Sequence, residues 1–164
     1  MKKLTVALLF GGVSSEHDVS CMSAKTFADG LDEARYDVYK IGITKDGRWF
    51  YYPGPSDKMP EDQWLNCPGN IPCLISPDRA CHGMLLFEEG GVRTVRLDAA
   101  IPVLHGKNGE DGTIQGLFQL SGIPYVGCDT ESSAICMDKA VTHSLLSSAD
   151  IEPVSYTHLT LPTN

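Results

Sequence analysis

Residues 4–10 form a short apolar run that stops at Gly11-Gly12, and beyond the polar stretch SSEHDVS a helical period opens at Val19, Met22, Thr26 and Phe27. A run of strand length, a glycine turn and a helical period read as strand, turn and helix. Residues 36–44, YDVYKIGIT, then read as a second strand. Strand, helix and strand in that order make a βαβ unit, expected to be parallel and right-handed. Ser15 with Asp18 three residues later has the spacing of a capping box, which places the helix start near Glu16. At 164 residues the chain is long enough for one such domain with a real core.

The signals change over residues 45–98. KDG precedes RWFYY, and EEGG separates MLLF from VRTVRL, both hairpin signatures. Between them Pro53, Pro55, Pro60, Pro68, Pro72 and Pro77 exclude long helices and predict irregular loops, so the segment reads as an insertion. Residues 99–104, AAIPVL, return to the fully apolar composition of a strand buried on both faces of a parallel sheet. The next residues, HGKNGEDGTIQG, would leave the carboxyl end of a central strand, where open α/β sheets bind ligands. Ile114, Leu117 and Phe118 share one helical face, and Gly122 with Pro124 ends that helix. PYVG reads as a short strand, residues 130–136 as a brief helix, and Asp138 opens another running to about Ala149. The expected class is α/β, a Rossmann-like parallel-sheet domain with a hairpin-rich insertion.

A net charge of −8 with 13 scattered basic residues argues against a nucleic-acid surface, which needs a concentrated Lys/Arg face. The start, MKKLTVALLFGG, has a short apolar segment but no small-residue cleavage site, and no stretch approaches the roughly 20 apolar residues of a membrane span. A cytoplasmic protein with small-molecule partners is expected, with neither nucleic acid nor membrane. Its six cysteines are then expected to be reduced. No CxxC or zinc-finger spacing occurs, so no metal site is expected, and Cys21 reads as a buried packing residue.

In a parallel sheet the two polar loops, GGVSSEHDVS and HGKNGEDGTIQG, open on the same edge. Glu16 can offset the positive end of its helix, worth a few tenths of a kcal/mol. It can equally capture a ligand ammonium, a charge-assisted contact worth roughly 1.5–3 kcal/mol. His105, Lys107, Glu110 and Asp111 lie among glycines that let the backbone approach a ligand closely. Asp111 reads as a helix cap and Lys107 as solvated. His105, directly after a buried strand, suits proton handling or the holding of a carboxylate. His17 and Asp18 beside Glu16 cannot face one metal centre from adjacent helix positions, and His82 and His143 read as fillers. GGVSSEH lacks the third glycine of a dinucleotide fingerprint, and GxxxxGK[ST] does not occur.

Taken together and in order, LLFGGVSSEHDVS and PVLHGKNGEDGTIQGLFQLSGIPYVGCDTESSAICMDK resemble the amino-terminal part of the D-alanine:D-alanine ligases. GITKDGRW, LHGKNGEDG and VGCDTESSAICMDK are most similar to the vancomycin-resistance branch, particularly its D-alanine:D-serine ligases. The resemblance implies a pre-ATP-grasp domain over residues 1–137 and the start of a linker to ATP-grasp domains over 138–153. It implies a parent enzyme of peptidoglycan precursor synthesis that uses ATP and Mg2+ to activate the carboxylate of one D-alanine. The amine of D-serine or a second D-alanine then attacks the acyl phosphate. By the same resemblance Glu16 binds the first D-alanine's ammonium, His105 lines that pocket, Glu110 supports His105, and Lys139 reaches ATP phosphates. Dimerisation through this domain is a further implication, and the segment alone is expected to be inactive. The rival expectation is a stand-alone, non-catalytic α/β module in which Glu16 and His105 hold a small amino acid. The last eleven residues, VSYTHLTLPTN, break the family pattern and resemble a translated sequencing adapter, so they are expected to be non-native and to pack poorly.

Overall fold

The opening apolar run becomes strand β1 (Leu4–Gly11), with six of its eight residues buried. Residues 2–151 are described by the computed structural model. Helix α1 (His17–Gly30) leads into β2 (Tyr36–Ile43), which runs parallel to β1 from Leu4 opposite Tyr36 to Gly11 opposite Ile43. Strand β7 (Ala99–Pro102) pairs in parallel with the other edge of β1, from Val6 opposite Ala99 to Leu9 opposite Pro102. The expected βαβ unit and its third parallel strand are therefore present.

The segment read as an insertion does not stand apart from this sheet. Strands β3 (Trp49–Tyr52), β4 (Ile71–Ile75), β5 (Gly83–Glu88) and β6 (Gly91–Arg96) extend it in the order β6-β5-β4-β3-β2-β1-β7. These four are antiparallel, and both predicted hairpins, β2–β3 and β5–β6, form. The proline-rich stretch was expected to be irregular, yet it contains β4. Its pairing with β3 is limited to Phe50 with Pro72 and Tyr51 with Ile71, as fits a strand whose proline lacks a ladder donor. Two short 3-10 segments, Ser56–Lys58 and Pro60–Asn66, fill the rest between β3 and β4, with a kink at Glu61 and Asp62.

Three further expectations need correction. Strand β7 is not central: it ends the sheet, and of its four residues only Ala100 is buried. PYVG contributes a single parallel bridge, Tyr125 to Ala100, rather than a strand. Pro102 and Pro124 each lack a donor, which keeps this outer ladder short. The Ser15–Asp18 capping box does not form. Glu16 is the N-cap without a side-chain bond, and the preceding turn is held instead by Ser14, whose Oγ accepts from Glu16 N at 3.1 Å.

Because side chains alternate along β1, it feeds two cores. Ala7 and Leu9 pack with Ile41, Met84, Leu86, Ile114 and Phe118 on the face covered by α2 (Thr113–Ser121). Leu8 and Phe10 pack with Cys21, Ala24, Tyr52, Met59 and Trp64 on the face covered by α1 and the 3-10 segments. Helix α2 ends, as predicted, at Gly122 in the left-handed region with φ 71°. Helices α3 (Thr130–Met137) and α4 (Lys139–Ser148) follow, capped by the side chains of Asp129 and Asp138. All six cysteines are free thiols. Among the described residues no helix is long and apolar enough to cross a membrane. The eleven-residue tail lies outside the described residues.

Trp64 is fully buried, with its ring edge-on to Phe10 at a centroid distance of 5.1 Å. Trp64→Ala should therefore cost about 3–5 kcal/mol of unfolding free energy in a urea titration. A loss under 1 kcal/mol would show that this second core does not support the sheet.

Candidate functional site

Parallel pairing of β1 with β7 brings the ends of both strands to one edge of the sheet, and a polar loop leaves each. The first is drawn tight at Gly11. With φ 84°, this residue sits where a Cβ would stand 2.2 Å from the Ile43 carbonyl oxygen, so only glycine fits. The loop then delivers Glu16 to the N-cap of α1, exposed to solvent. Its carboxylate lies against the second loop: a Cβ on Gly106, at φ 69°, would stand 2.4 Å from Glu16 Oε2 and 2.7 Å from Ser14 Oγ. Gly106 is thus the point where the two loops meet. Among the described residues the Glu16 carboxylate accepts no protein hydrogen bond and joins no ion pair; the residue's one bond outside the helix is its backbone N donating to Ser14 Oγ.

The acids of the second loop divide the work of holding it. Gly106 N donates to Glu110 Oε2 at 2.8 Å, and the other Glu110 oxygen lies 3.7 Å from His105 Nδ1. His105 Nε2 sits 3.1 Å from Ser23 Oγ on α1, so the ring spans from one loop to the neighbouring helix. Asp111 accepts from Asn108 N at 2.9 Å and from Thr113 N at 3.1 Å, but it is not the cap expected: the N-cap of α2 is Gly112, and Asp111 closes the turn before it. Burial alone would raise its pKa, but these amide donors hold its carboxyl below the usual carboxylate range. Gln115, buried on α2, donates to the Gly109 carbonyl at 2.9 Å and fastens the loop from beneath.

Glu16, His105 and Glu110, singled out from sequence, are thus drawn together around Gly106. Lys139 is not part of this group; it lies exposed at the first residue of α4 and shares no hydrogen bond or ion pair with the three. The α4 amides beside it are taken by Asp138, whose Oδ1 accepts from Ala140 N and Val141 N. Lys107 is exposed, as expected. Ser23, Gln115, His17 and Asp62 were not anticipated as parts of this region. A buried glutamine on the apolar face of α2 is a signal that could have been read, whereas the partnership of His17 with Asp62 spans 45 residues and leaves no local pattern.

The order Ser23, His105, Glu110 is that of a nucleophile, base and acid. Ser23 nevertheless lies inside α1, where neighbouring amides are spent on the helical ladder and none is left to stabilise an oxyanion. The arrangement is suited to orienting a ligand and not to attacking one. A cavity of about 270 Å³, lined by Gly12, Leu104, His105, Gly109 and Ile114 among others, lies beside it. His105 and Gly109 also line a groove of about 450 Å³ shared with Glu110, Phe27 and Met137. Among the described residues, one set of three potential ligands, His17, Cys21 and Asp62, lies within reach of a single ion. Its nitrogen and sulfur donors do not suit Mg2+, which takes oxygen ligands.

Residues 5–128 match the family model described as D-ala D-ala ligase N-terminus. The chain is 50% identical over 152 residues to a putative D-alanine–D-lactate ligase of Streptomyces coelicolor, covering 92% of this chain and 42% of that protein. It is 49% identical over 151 residues to the vancomycin B-type resistance protein VanB of Enterococcus faecalis, again covering 92% and 42%. Among solved structures, the VanG D-Ala:D-Ser ligase of Enterococcus faecalis superposes with a TM-score of 0.85 at 43% identity, over 92% of this chain and 43% of that one. The chain therefore spans about two-fifths of the length of these relatives.

A carboxylate whose folded pKa is depressed contributes stability above its unfolded value, near 3.9, and loses it as pH falls through the folded value. Asp111→Asn should accordingly unfold at lower urea than the parent at pH 7, and the gap should narrow as the pH falls below about 4. A gap of constant size between pH 7 and pH 3 would show that the charge of Asp111 does not hold the loop.

Proposed function

The chain belongs to the D-alanine:D-alanine ligase N-terminal family, and on that premise we propose that it is the amino-terminal part of an ATP-dependent D-alanine:D-alanine or D-alanine:D-serine ligase. Its task in that reading is to build one wall of the pocket for the first D-alanine. The observation that carries it is the Glu16 carboxylate, unpaired and set against Gly106 beside His105 and Glu110. An ammonium donates and a carboxylate accepts, so a free carboxylate at a loop rim matches the amino group of an amino acid. His105, braced by Ser23 and beside Glu110, presents the complementary group for the ligand's carboxylate or for a proton passing to it. Residues 1–137 would form the first domain and 138–153 the start of the linker, of which residues 138–151, α4 among them, are described.

ATP supplies the activation of the D-alanine carboxylate, and this segment offers it little. The exposed Lys139 ammonium suits one phosphate contact, while the α4 terminus beside it is already capped. No described set of carboxylates suits Mg2+, so nucleotide and metal would be held by the rest of the ligase. The same reading makes the parent a cytoplasmic enzyme of peptidoglycan precursor synthesis, with a second copy of itself as its protein partner.

The test is steady-state kinetics of a ligase carrying this segment, measured by phosphate release. Removing one charge-assisted contact by Glu16→Gln should raise the KM for the first D-alanine about ten- to hundredfold. If KM and kcat both stay at parental values, Glu16 does not hold the ammonium.

A further inference from the structure

His17 follows Glu16 directly, is 1% exposed, and belongs to none of the contacts with which the proposed pocket would hold its ligand. Its ring lies between two oxygens. Nδ1 is 2.8 Å from the Gly12 carbonyl oxygen and Nε2 is 2.8 Å from Asp62 Oδ1. A carbonyl has no proton to give, and neither has an ionised carboxylate. A neutral imidazole carries one N–H, so it would satisfy one of these oxygens and turn a lone pair on the other.

We propose that His17 is a cationic latch, donating from both ring nitrogens to Gly12 and Asp62, and that it positions the first turn of α1 and so Glu16. The surrounding charges agree with a buried cation. Asp62 also receives Trp64 Nε1 at 3.3 Å and Lys45 Nζ at 3.4 Å, and Lys45 pairs in turn with Asp18 at 2.8 Å. The group thus balances two cations, His17 and Lys45, against two anions, Asp62 and Asp18. Burial alone would raise the Asp62 pKa, but the His17 bond and charge and the Lys45 ammonium bring it below the ordinary range. Cys21, whose sulfur is 4.0 Å from Asp62 Oδ1, has its thiol pushed up to about 12 by burial and by that carboxylate, so it adds no charge. The backbone also bends to make this contact: Asp62 and Glu61 have φ 55° and 57°, the left-handed region that non-glycine residues seldom occupy.

The same three side chains, His17, Cys21 and Asp62, could in principle hold a divalent ion. The geometry opposes it. Nitrogen and oxygen ligands about 2.0–2.2 Å from a tetrahedral Zn2+ stand roughly 3.3 Å apart, whereas 2.8 Å is a hydrogen-bond separation with room for a proton.

The latch acts on the candidate site through the chain. The ring packs on Gly11, where a Cβ would stand 2.9 Å from His17 Cε1, and it fixes the Gly12 carbonyl. Glu16 lies between that carbonyl and the helix. That Glu16 then meets a ligand ammonium rests on the function proposed above; the ring's charge and the order of the turn do not.

The test uses the chain itself, labelled with 15N. Ring proton–nitrogen correlation spectra at pH 7 should show both nitrogens of His17 protonated, and Asp62→Asn should shift the Nε2–H resonance by removing the carboxylate that accepts it. Hydrogen exchange at Gly12 and Ser20, whose amides donate to Ile43 and Glu16 carbonyls, should accelerate about tenfold or more in His17→Gln, while Val95 in the far hairpin stays unchanged. His17→Arg, which keeps the charge and several donors, should retain slow exchange. An unprotonated ring nitrogen in the parent overturns the latch, whether or not the variants fold. So does parental exchange in His17→Gln, or equimolar Zn2+ uptake that strips the ring and Cys21 of protons. D-alanine titrated into the parent in the same spectra decides separately whether Glu16 meets a ligand.

Discussion

Strand β1 is hydrogen-bonded in parallel along its whole length to β2 and over four residues to β7, so the chain leaves β1 and β7 at the same edge of the sheet. Everything polar in the candidate site depends on that shared direction. Were β7 antiparallel, His105 would emerge at the opposite edge from Glu16, roughly a strand length away. The same strand carries both cores, since Leu9 faces α2 while Leu8 and Phe10 face α1 and Trp64. The apolar packing that makes the fold stable is therefore also what aligns the loops.

Alignment of strands leaves the loops themselves to be ordered, and here the charges are distributed by task. Glu110 and Asp111 use their oxygens on backbone N–H groups of Gly106, Asn108 and Thr113. The Gly106 amide, in a buried residue, needs such an acceptor because an unmet buried donor costs about 1–3 kcal/mol, whereas the Asn108 and Thr113 bonds lie exposed and shape the turn. Gln115 does the converse and supplies a donor to the Gly109 carbonyl. Glu16 is the acid that serves no such purpose. Glu110 and Asp111 serve the backbone and Asp18 pairs with Lys45, so Glu16 is the acid of these two loops left without a protein partner among the described residues.

Much of this was legible from local signals. Apolar runs, glycine turns and helical periods marked β1, α1, β2, both hairpins and the end of α2 at Gly122, since each depends on residues close in sequence. That the loops of Glu16 and His105 open on one edge followed from strand direction, whereas Glu110 as the support of His105 came only from the family resemblance. What could not be read were the features set by distant partners. Pro72 argued for a loop, but β5 on the far side offered β4 a full ladder, with Cys73, Leu74 and Ile75 paired to Leu86, Leu85 and Met84. Ser15 had the spacing of a cap, yet the turn drew on Ser14 because Gly11 and Gly12 set the chain's entry into the helix. His17 looked like one residue of a polar string, and Asp62, across the sheet's second face, decides its role.

Solvent access then limits what this edge can do by itself. Glu16 is exposed, and the side chains of His105 and Glu110 are 32% and 51% accessible. An ion pair in such surroundings contributes about 0–1 kcal/mol, because water screens it and competes for the same donors. The same pair approaches 1.5–3 kcal/mol only where water is excluded. The glycine turns and the part-buried His17–Asp62 contact therefore set the direction of the Glu16 carboxylate, and in the proposed function they would orient an ammonium more than they raise its affinity. Holding a reacting group in one orientation is worth most when another surface closes over it, and at that point a preset carboxylate need lose no further freedom. In the function proposed here, such an edge would act through order imposed in advance, and the polar contacts behind Glu16 would matter as much as the exposed acid they support.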